Sequence, residues 1–405
     1  MIECGDIASQ TLHDQWQHLV LRPLSKLREP GLYVVVVDAL DECDDDDDVQ
    51  KIIRLLADSR SLERVRLRVF LTSRPVVPIR HVFGQITDAE HKDFVLHDIS
   101  PSIVDQDIKR FLENELQSVG RRWYSRAGWP GAETIMQLVQ SASGLFIWAA
   151  TACRFICKGK GFAAKRLETI LRNDSNTTAA PEKHLDQIYI TVLQNSVSAD
   201  YTDEEKEEQC ETLRYVLGSV AVLLSMLSVW SLSKLLQSGH EKVGQALADL
   251  HAILNIPEDP AQPLRLHHPS FRDFLLDKKR CDNDNFWIDE RSAHEKLVAR
   301  CLELMSGPNG LHQDMCSLSK PGMLRSEIDE GRITASLPLE LQYACRHWVD
   351  HLERSHSSIE DGDATHRFLE KHLLHWLEAM SLMHELSLCV HLVATLQSLV
   401  MVELS

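Results

Sequence analysis

The chain has 405 residues, room for two or three domains, and its 44% hydrophobic and 25% charged content is ordinary for globular protein. A formal net charge of -17, from 43 Lys+Arg against 60 Asp+Glu, argues against a nucleic-acid surface and against electrostatic docking on anionic lipid. Ten scattered cysteines without a C-x-x-C pair, and no signal-peptide pattern, point to a reducing, cytoplasmic compartment.

In chain order, Leu12, Trp16, Leu19, Val20, Leu24 and Leu27 fall on one stripe and predict an amphipathic helix. Residues 32–37 are an apolar, mostly β-branched run, the pattern of a fully buried parallel strand, and the acids Asp38, Asp41 and Glu42 follow it. Residues 49–61 carry Ile52, Ile53, Leu55 and Leu56 at helical spacing. Val65, Leu67, Val69 and Leu71 alternate and lead into Thr72, Ser73, Arg74 and Pro75, which predicts a second strand. Strand–helix–strand within this span implies a parallel βαβ unit, with Asp38 and residues 72–74 at the same edge of the sheet. Residues 94–99 read as a third short strand.

From residue 105 the pattern is helical almost to the end. A helix is expected over 105–116, and an apolar segment over 135–156 is interrupted at 141–144. Polar linkers are expected at 173–183 and 197–209, with a short helix at 185–193 between them. Residues 215–233 contain no charge, but Gly218 and serines at 219, 225, 228, 231 and 233 favour buried core helices over a membrane span. Helices at 213–227, 232–236 and 243–254, then a Pro-rich turn and a strand at 264–268, suggest a winged-helix arrangement. Its last helix, counted from Glu241 to Leu254, carries one Lys and two acids, so DNA reading is not expected. Four further helical elements are expected at 286–305, 337–352, 366–380 and 384–400.

A buried strand that delivers carboxylates at its C-terminal end is how P-loop NTPases present a Mg²⁺ ligand and a water-orienting acid to a nucleotide. The residues alone also fit a core strand followed by an acidic loop. The extended string of apolar residues followed by D-A-L-D-E resembles the Walker B segment of NACHT-type STAND NTPases, the fungal heterokaryon-incompatibility branch in particular, with its nephrocystin-like N-terminal domain. Thr72-Ser-Arg-Pro75 resembles the sensor 1 motif of that family. The resemblance implies that Asp38 holds Mg²⁺ through water, that Asp41 and Glu42 orient the attacking water, and that Arg74 reads the γ-phosphate; without it, Arg74 reads as a surface turn residue. His268-Pro-Ser-Phe-Arg-Asp-Phe-Leu275 is similar to the H-x-x-F-x-[DE]-F segment whose histidine touches the β-phosphate of ADP. Read from its residues alone, His268 caps a helix or satisfies a core hydrogen bond while Phe271, Phe274 and Leu275 pack at helical spacing.

No G-x-x-x-x-G-K-[ST] string occurs, and no repeat array is visible. The expected architecture is α/β followed by mostly α. Its parts are a partial NACHT P-loop NTPase sheet at 1–100, a helical region at 101–196, a winged-helix-like domain at 210–280 and a C-terminal helical domain at 285–405. The chain is expected to be a fragment lacking Walker A and the C-terminal repeats. It is expected to be part of a nucleotide-dependent signalling switch, impaired in ATP binding, with ATP/ADP and Mg²⁺ as cofactors where the site functions. Protein partners are expected, by self-association or with full-length paralogues. The alternative is a nucleotide-independent helical interaction scaffold. His347/His351 and His372/His375 have a metal-capable look but lack a suitably spaced third ligand.

Overall fold

The computed structural model describes residues 7, 11–27, 31–43, 45–57, 65–86, 91–124, 128–173, 180–318, 320 and 322–400, in two compact units, Met1–Asp98 and Ile99–Ser405.

In the first unit, α1 (Leu12–Trp16) is capped by Thr11, whose hydroxyl accepts the Asp14 N–H. One π-helical turn, Gln17–Leu21, leads into α2 (Arg22–Ser25). The predicted stripe buries no residue fully, and Leu19 is exposed. β1 (Gly31–Val37) pairs in parallel with β2 (Val65–Leu71), in register from Gly31↔Val65 to Val37↔Leu71. The crossover contains α3 (Asp46–Ala57), and α4 (Val77–Phe83) follows β2. Val49 and Ile53 of α3 and Ile79 and Val82 of α4 bury a small core with Leu40, against which Val37 and Leu71 pack. The βαβ expectation holds, but the expectation of a fully buried strand does not. Among the described residues helices cover one face only, so alternate residues Leu32, Val34 and Val36 are exposed, with Phe70 beside Val36 on the same face. Residues 94–99 form no strand. They contain a 3₁₀ turn, Leu96–Asp98, and expose Phe94 and Leu96.

The second unit is helical. α5 (Pro101–Val119), α6 (Ala132–Ala142), α7 (Phe146–Lys158), α8 (Ala163–Asn173) and α9 (Pro181–Ser196) pack through Leu112, Leu116, Leu138, Trp148, Phe155 and Tyr189. The break between α6 and α7 falls at Ser143 and Gly144, both at positive φ, which ends one helix and starts the next. Residues 174–179 of the expected linker lie outside the described residues. The expected acidic linker at 197–209 is largely helix instead. α10 (Asp203–Val222) starts with a Thr202–Glu205 capping box, and Asp203, Glu204 and Glu205 suit the positive end of the helix dipole.

α11 (Val229–Leu235) and α12 (His240–Leu247) follow, then an antiparallel pair, β3 (Leu254–Asn255) and β4 (Arg265–Leu266), with a bridge from Ser228 to Pro263. Next come α13 (Ser270–Leu276), α14 (Glu290–Ser306), α15 (Glu330–Ser336), α16 (Leu339–Arg354), α17 (Ala364–Leu382) and α18 (Leu386–Leu399). Cys301 and Leu302 of α14, Trp348 of α16, Trp376 of α17 and Leu392 of α18 share one core with the preceding helices. Among the described residues no helix is long and apolar enough to cross a membrane.

Candidate functional site

The residues of interest in the first unit stand where the two parallel strands end. The Thr72 N–H donates to the Val37 carbonyl at 2.9 Å, carrying the ladder one residue past β2. Ala39 then takes a left-handed conformation, and Leu40–Glu42 form a single 3₁₀ turn whose Leu40 is buried. The Leu40 N–H donates to the Thr72 carbonyl at 3.0 Å, so the turn is bonded directly to β2's extension.

Two side-chain clasps join the acidic turn to residues 72–74. In the first, the Thr72 hydroxyl accepts the Ala39 N–H at 2.8 Å and donates to Asp38 Oδ1. In the second, Asp41 Oδ1 accepts the Arg74 N–H at 2.9 Å, while Oδ2 stands 3.4 Å from Arg74 Nε. The Asp41 side chain is only 9% exposed, against 46% for Arg74. Asp38 and Glu42 are exposed. The fold therefore gathers Asp38, Asp41, Glu42 and Arg74 at one sheet edge, and Asp41 holds Arg74 at two points. The sequence places Thr72 in the sensor 1-like string but assigns its side chain no role of its own. Its signal was the hydroxyl at the first position past an alternating strand opposite an acid.

His268 belongs to the second unit. Its Nδ1 accepts the Ser270 N–H at 3.1 Å and lies 2.6 Å from the Ser270 hydroxyl, which is 2.8 Å from the Tyr189 hydroxyl. The ring therefore caps the first turn of α13, and its neutral form carries the proton on Nε2. Burial pushes the Tyr189 hydroxyl up to about 12, keeping it a neutral partner in this chain of bonds. Phe271 and Phe274 are buried against Tyr189, with ring centroids at 5.1 and 5.5 Å. The neighbouring His267 is held below the usual imidazole range by burial and by the Arg154 charge.

The histidine pairs do not converge on an ion. His351 is buried against His294 and Tyr343, whereas His347 Nε2 meets the Ser225 hydroxyl at 3.1 Å. His372 and His375 bond to each other. Among the described residues no group of three or more His, Cys, Asp or Glu is placed to hold a metal.

A parallel βαβ unit bearing acids and an arginine at its strand ends, followed by a helical unit, is the class that fold and site define. A family model described as nephrocystin 3, N-terminal, matches residues 2–74. The chain is 26% identical over 411 residues to the vegetative incompatibility protein HET-E-1 of Podospora anserina, an alignment that covers 93% of this chain. The two matches support a NACHT, HET-E-like family for the chain. The chain spans 27% of the length of that relative.

Proposed function

We propose that this chain is part of a NACHT-type, nucleotide-dependent signalling switch related to fungal self/non-self recognition and cell-death proteins. The observation that carries the reading is the clasped edge of the sheet, where Asp38, Asp41 and Glu42 of one strand end meet Thr72 and Arg74 of the other. On this reading the edge is the Walker B and sensor 1 half of a P-loop NTPase domain at 1–100. A helical region at 101–196, a winged-helix-like domain at 210–280 and a C-terminal helical domain at 285–405 complete the chain. The order α10, α11, α12 and then the β3–β4 pair supports the winged-helix assignment.

On this reading Asp38 would hold Mg²⁺ through water and Arg74 would bind γ-phosphate oxygens, while for His268, in the second unit, the resemblance implies a contact with the β-phosphate of ADP. A hard cation suits Asp38: Thr72 takes one carboxylate oxygen, and among the described residues nothing bonds the other. Mg²⁺, when bound, neutralises charge on the phosphate oxygens. Of the two acids that follow, Asp41 is engaged by Arg74, so the water-orienting role falls to the exposed Glu42. Because the 405 residues contain no G-x-x-x-x-G-K-[ST] loop, ATP binding by this chain is weak on this reading. Its partners are proteins, through self-association or a full-length paralogue, in the cytoplasm.

The competing reading, a nucleotide-independent helical scaffold, draws on the engagement of His268 Nδ1 in a helix cap. Calorimetry of ADP and ATP with Mg²⁺, on the 405-residue chain beside Asp38→Ala and His268→Ala, separates them. Binding that either substitution abolishes supports the switch. The absence of binding at millimolar nucleotide supports the scaffold.

A further inference from the structure

Thr72 has a chemistry that its position past β2 does not require. Its backbone already ties the two strand ends, through bonds to Val37 and Leu40. A valine would make the same backbone bonds. The hydroxyl does something else: with its single proton it donates to Asp38 Oδ1, and with a lone pair it accepts the Ala39 N–H at 2.8 Å. That second bond fixes the direction of the first, because acceptance from a rigid backbone amide leaves the hydroxyl proton little choice of target. Asp38 is exposed, and an exposed Asp otherwise samples several rotamers. Here Oδ1 is held by the Thr72 hydroxyl, and among the described residues no hydrogen bond engages Oδ2. The left-handed Ala39 that follows is braced by the same hydroxyl, so the rotamer and the turn depend on one side chain.

We propose that Thr72 is a positioning residue for a divalent cation: it locks the Asp38 carboxylate so that Oδ2 is presented to the coordinated water of a Mg²⁺ carried by a nucleoside di- or triphosphate. The inference rests on the nucleotide reading above and specifies which group orients its metal ligand. Outer-shell hydrogen bonds to a metal-binding carboxylate act by holding the ligand oxygen in place, and their loss costs about 10- to 100-fold in metal affinity.

The test is a Mg²⁺ titration of ADP binding by the full 405-residue chain, comparing the parent with Thr72→Val, Thr72→Ser and Asp38→Ala. Thr72→Val keeps the shape and the backbone bonds but has no hydroxyl. The expected result is that it needs about 10- to 100-fold more Mg²⁺ for half-maximal binding, with ADP affinity at saturating Mg²⁺ near that of the parent. Thr72→Ser restores the parental midpoint, and Asp38→Ala removes the Mg²⁺ dependence. If Thr72→Val titrates like the parent while Asp38→Ala does not, the Thr72 assignment fails and the nucleotide reading stands. Equal loss of ADP affinity at every Mg²⁺ concentration makes Thr72 merely structural and also overturns the assignment. If neither the parent nor Asp38→Ala responds to Mg²⁺, the nucleotide reading fails and the assignment falls with it. Should Thr72→Val not fold, Thr72→Cys, whose thiol is a weak donor, is read against the same outcomes.

Discussion

Acidification should unlock the second unit at one histidine pair. His294 Nδ1 on α14 and His351 Nδ1 on α16 lie 2.7 Å apart, and His351 Nε2 is 2.8 Å from the Tyr343 hydroxyl. Both rings are almost wholly buried. At that separation one nitrogen must donate and the other accept, so a proton added to the accepting ring sets two N–H groups against each other. Burial lowers His294 from 6.5 to about 4, helped by the like charges of Arg354 and Arg272. His351 is held well below 6.5 by burial first, then by His294, His347 and Arg354. In the unfolded chain both titrate near 6.5, so between that pH and the folded values the unfolded state binds more protons. Stability therefore rises with pH through this window and is fully present above it. Linkage for His294 alone gives a loss of about 2 kcal/mol on going from pH 7.5 to pH 5, and His351 acts in the same direction. Urea unfolding followed by tryptophan fluorescence, at several pH values, measures it in the parent and in His294→Gln, which keeps a polar partner for His351 but does not titrate. The variant should lose about 2 kcal/mol less than the parent over this range. Identical pH slopes for the two proteins would refute the reasoning.

Other perturbations test the packing. Asp186 and Arg280 form a partly buried pair with Nη2–Oδ1 at 2.6 Å and Nε at 3.2 and 3.3 Å from the two oxygens. Asp186→Ala should cost about 2 kcal/mol in urea unfolding, and adding Arg280→Ala should cost much less than the sum of the single changes. Trp376 is fully buried, edge-on to Trp348, with its indole N–H donating to the Cys345 carbonyl at 2.9 Å. Trp376→Ala should destabilise by about 3–5 kcal/mol, and a chain with an unchanged unfolding midpoint would contradict that core. Thr202→Ala removes the capping box of α10 and should cost about 1 kcal/mol; an effect near zero would mean that α10 starts elsewhere.

The β1–α3–β2 unit was legible because a β-branched run, a helical stripe and an alternating strand follow one another with no room for other topologies. The exposure of Leu32, Val34 and Val36 was not, since an apolar run does not say which faces are covered. The acidic segment at 203–208 misled for a different reason. Its charges look like a linker by composition, and only the Thr202–Glu205 reciprocal bonds reveal a helix start. Helices over 146–158, 339–354 and 364–382 were readable from their apolar spacing. At the candidate site, strand ends located Asp38 and Arg74 together. The clasps were out of reach, because Thr72–Asp38 and Asp41–Arg74 are side-chain contacts 34 and 33 residues apart in sequence. Helix capping by His268 was one of the two structural roles its residues alone allowed, and the bond from the Ser270 N–H selects it.

The most direct test of the central claim is hydrogen exchange of the 405-residue chain with and without ADP and Mg²⁺. The account predicts added protection at residues 37–43 and 71–76, and none of it in Asp38→Ala. Unchanged exchange in these segments at millimolar ADP and Mg²⁺ would contradict a nucleotide site at the clasped strand ends.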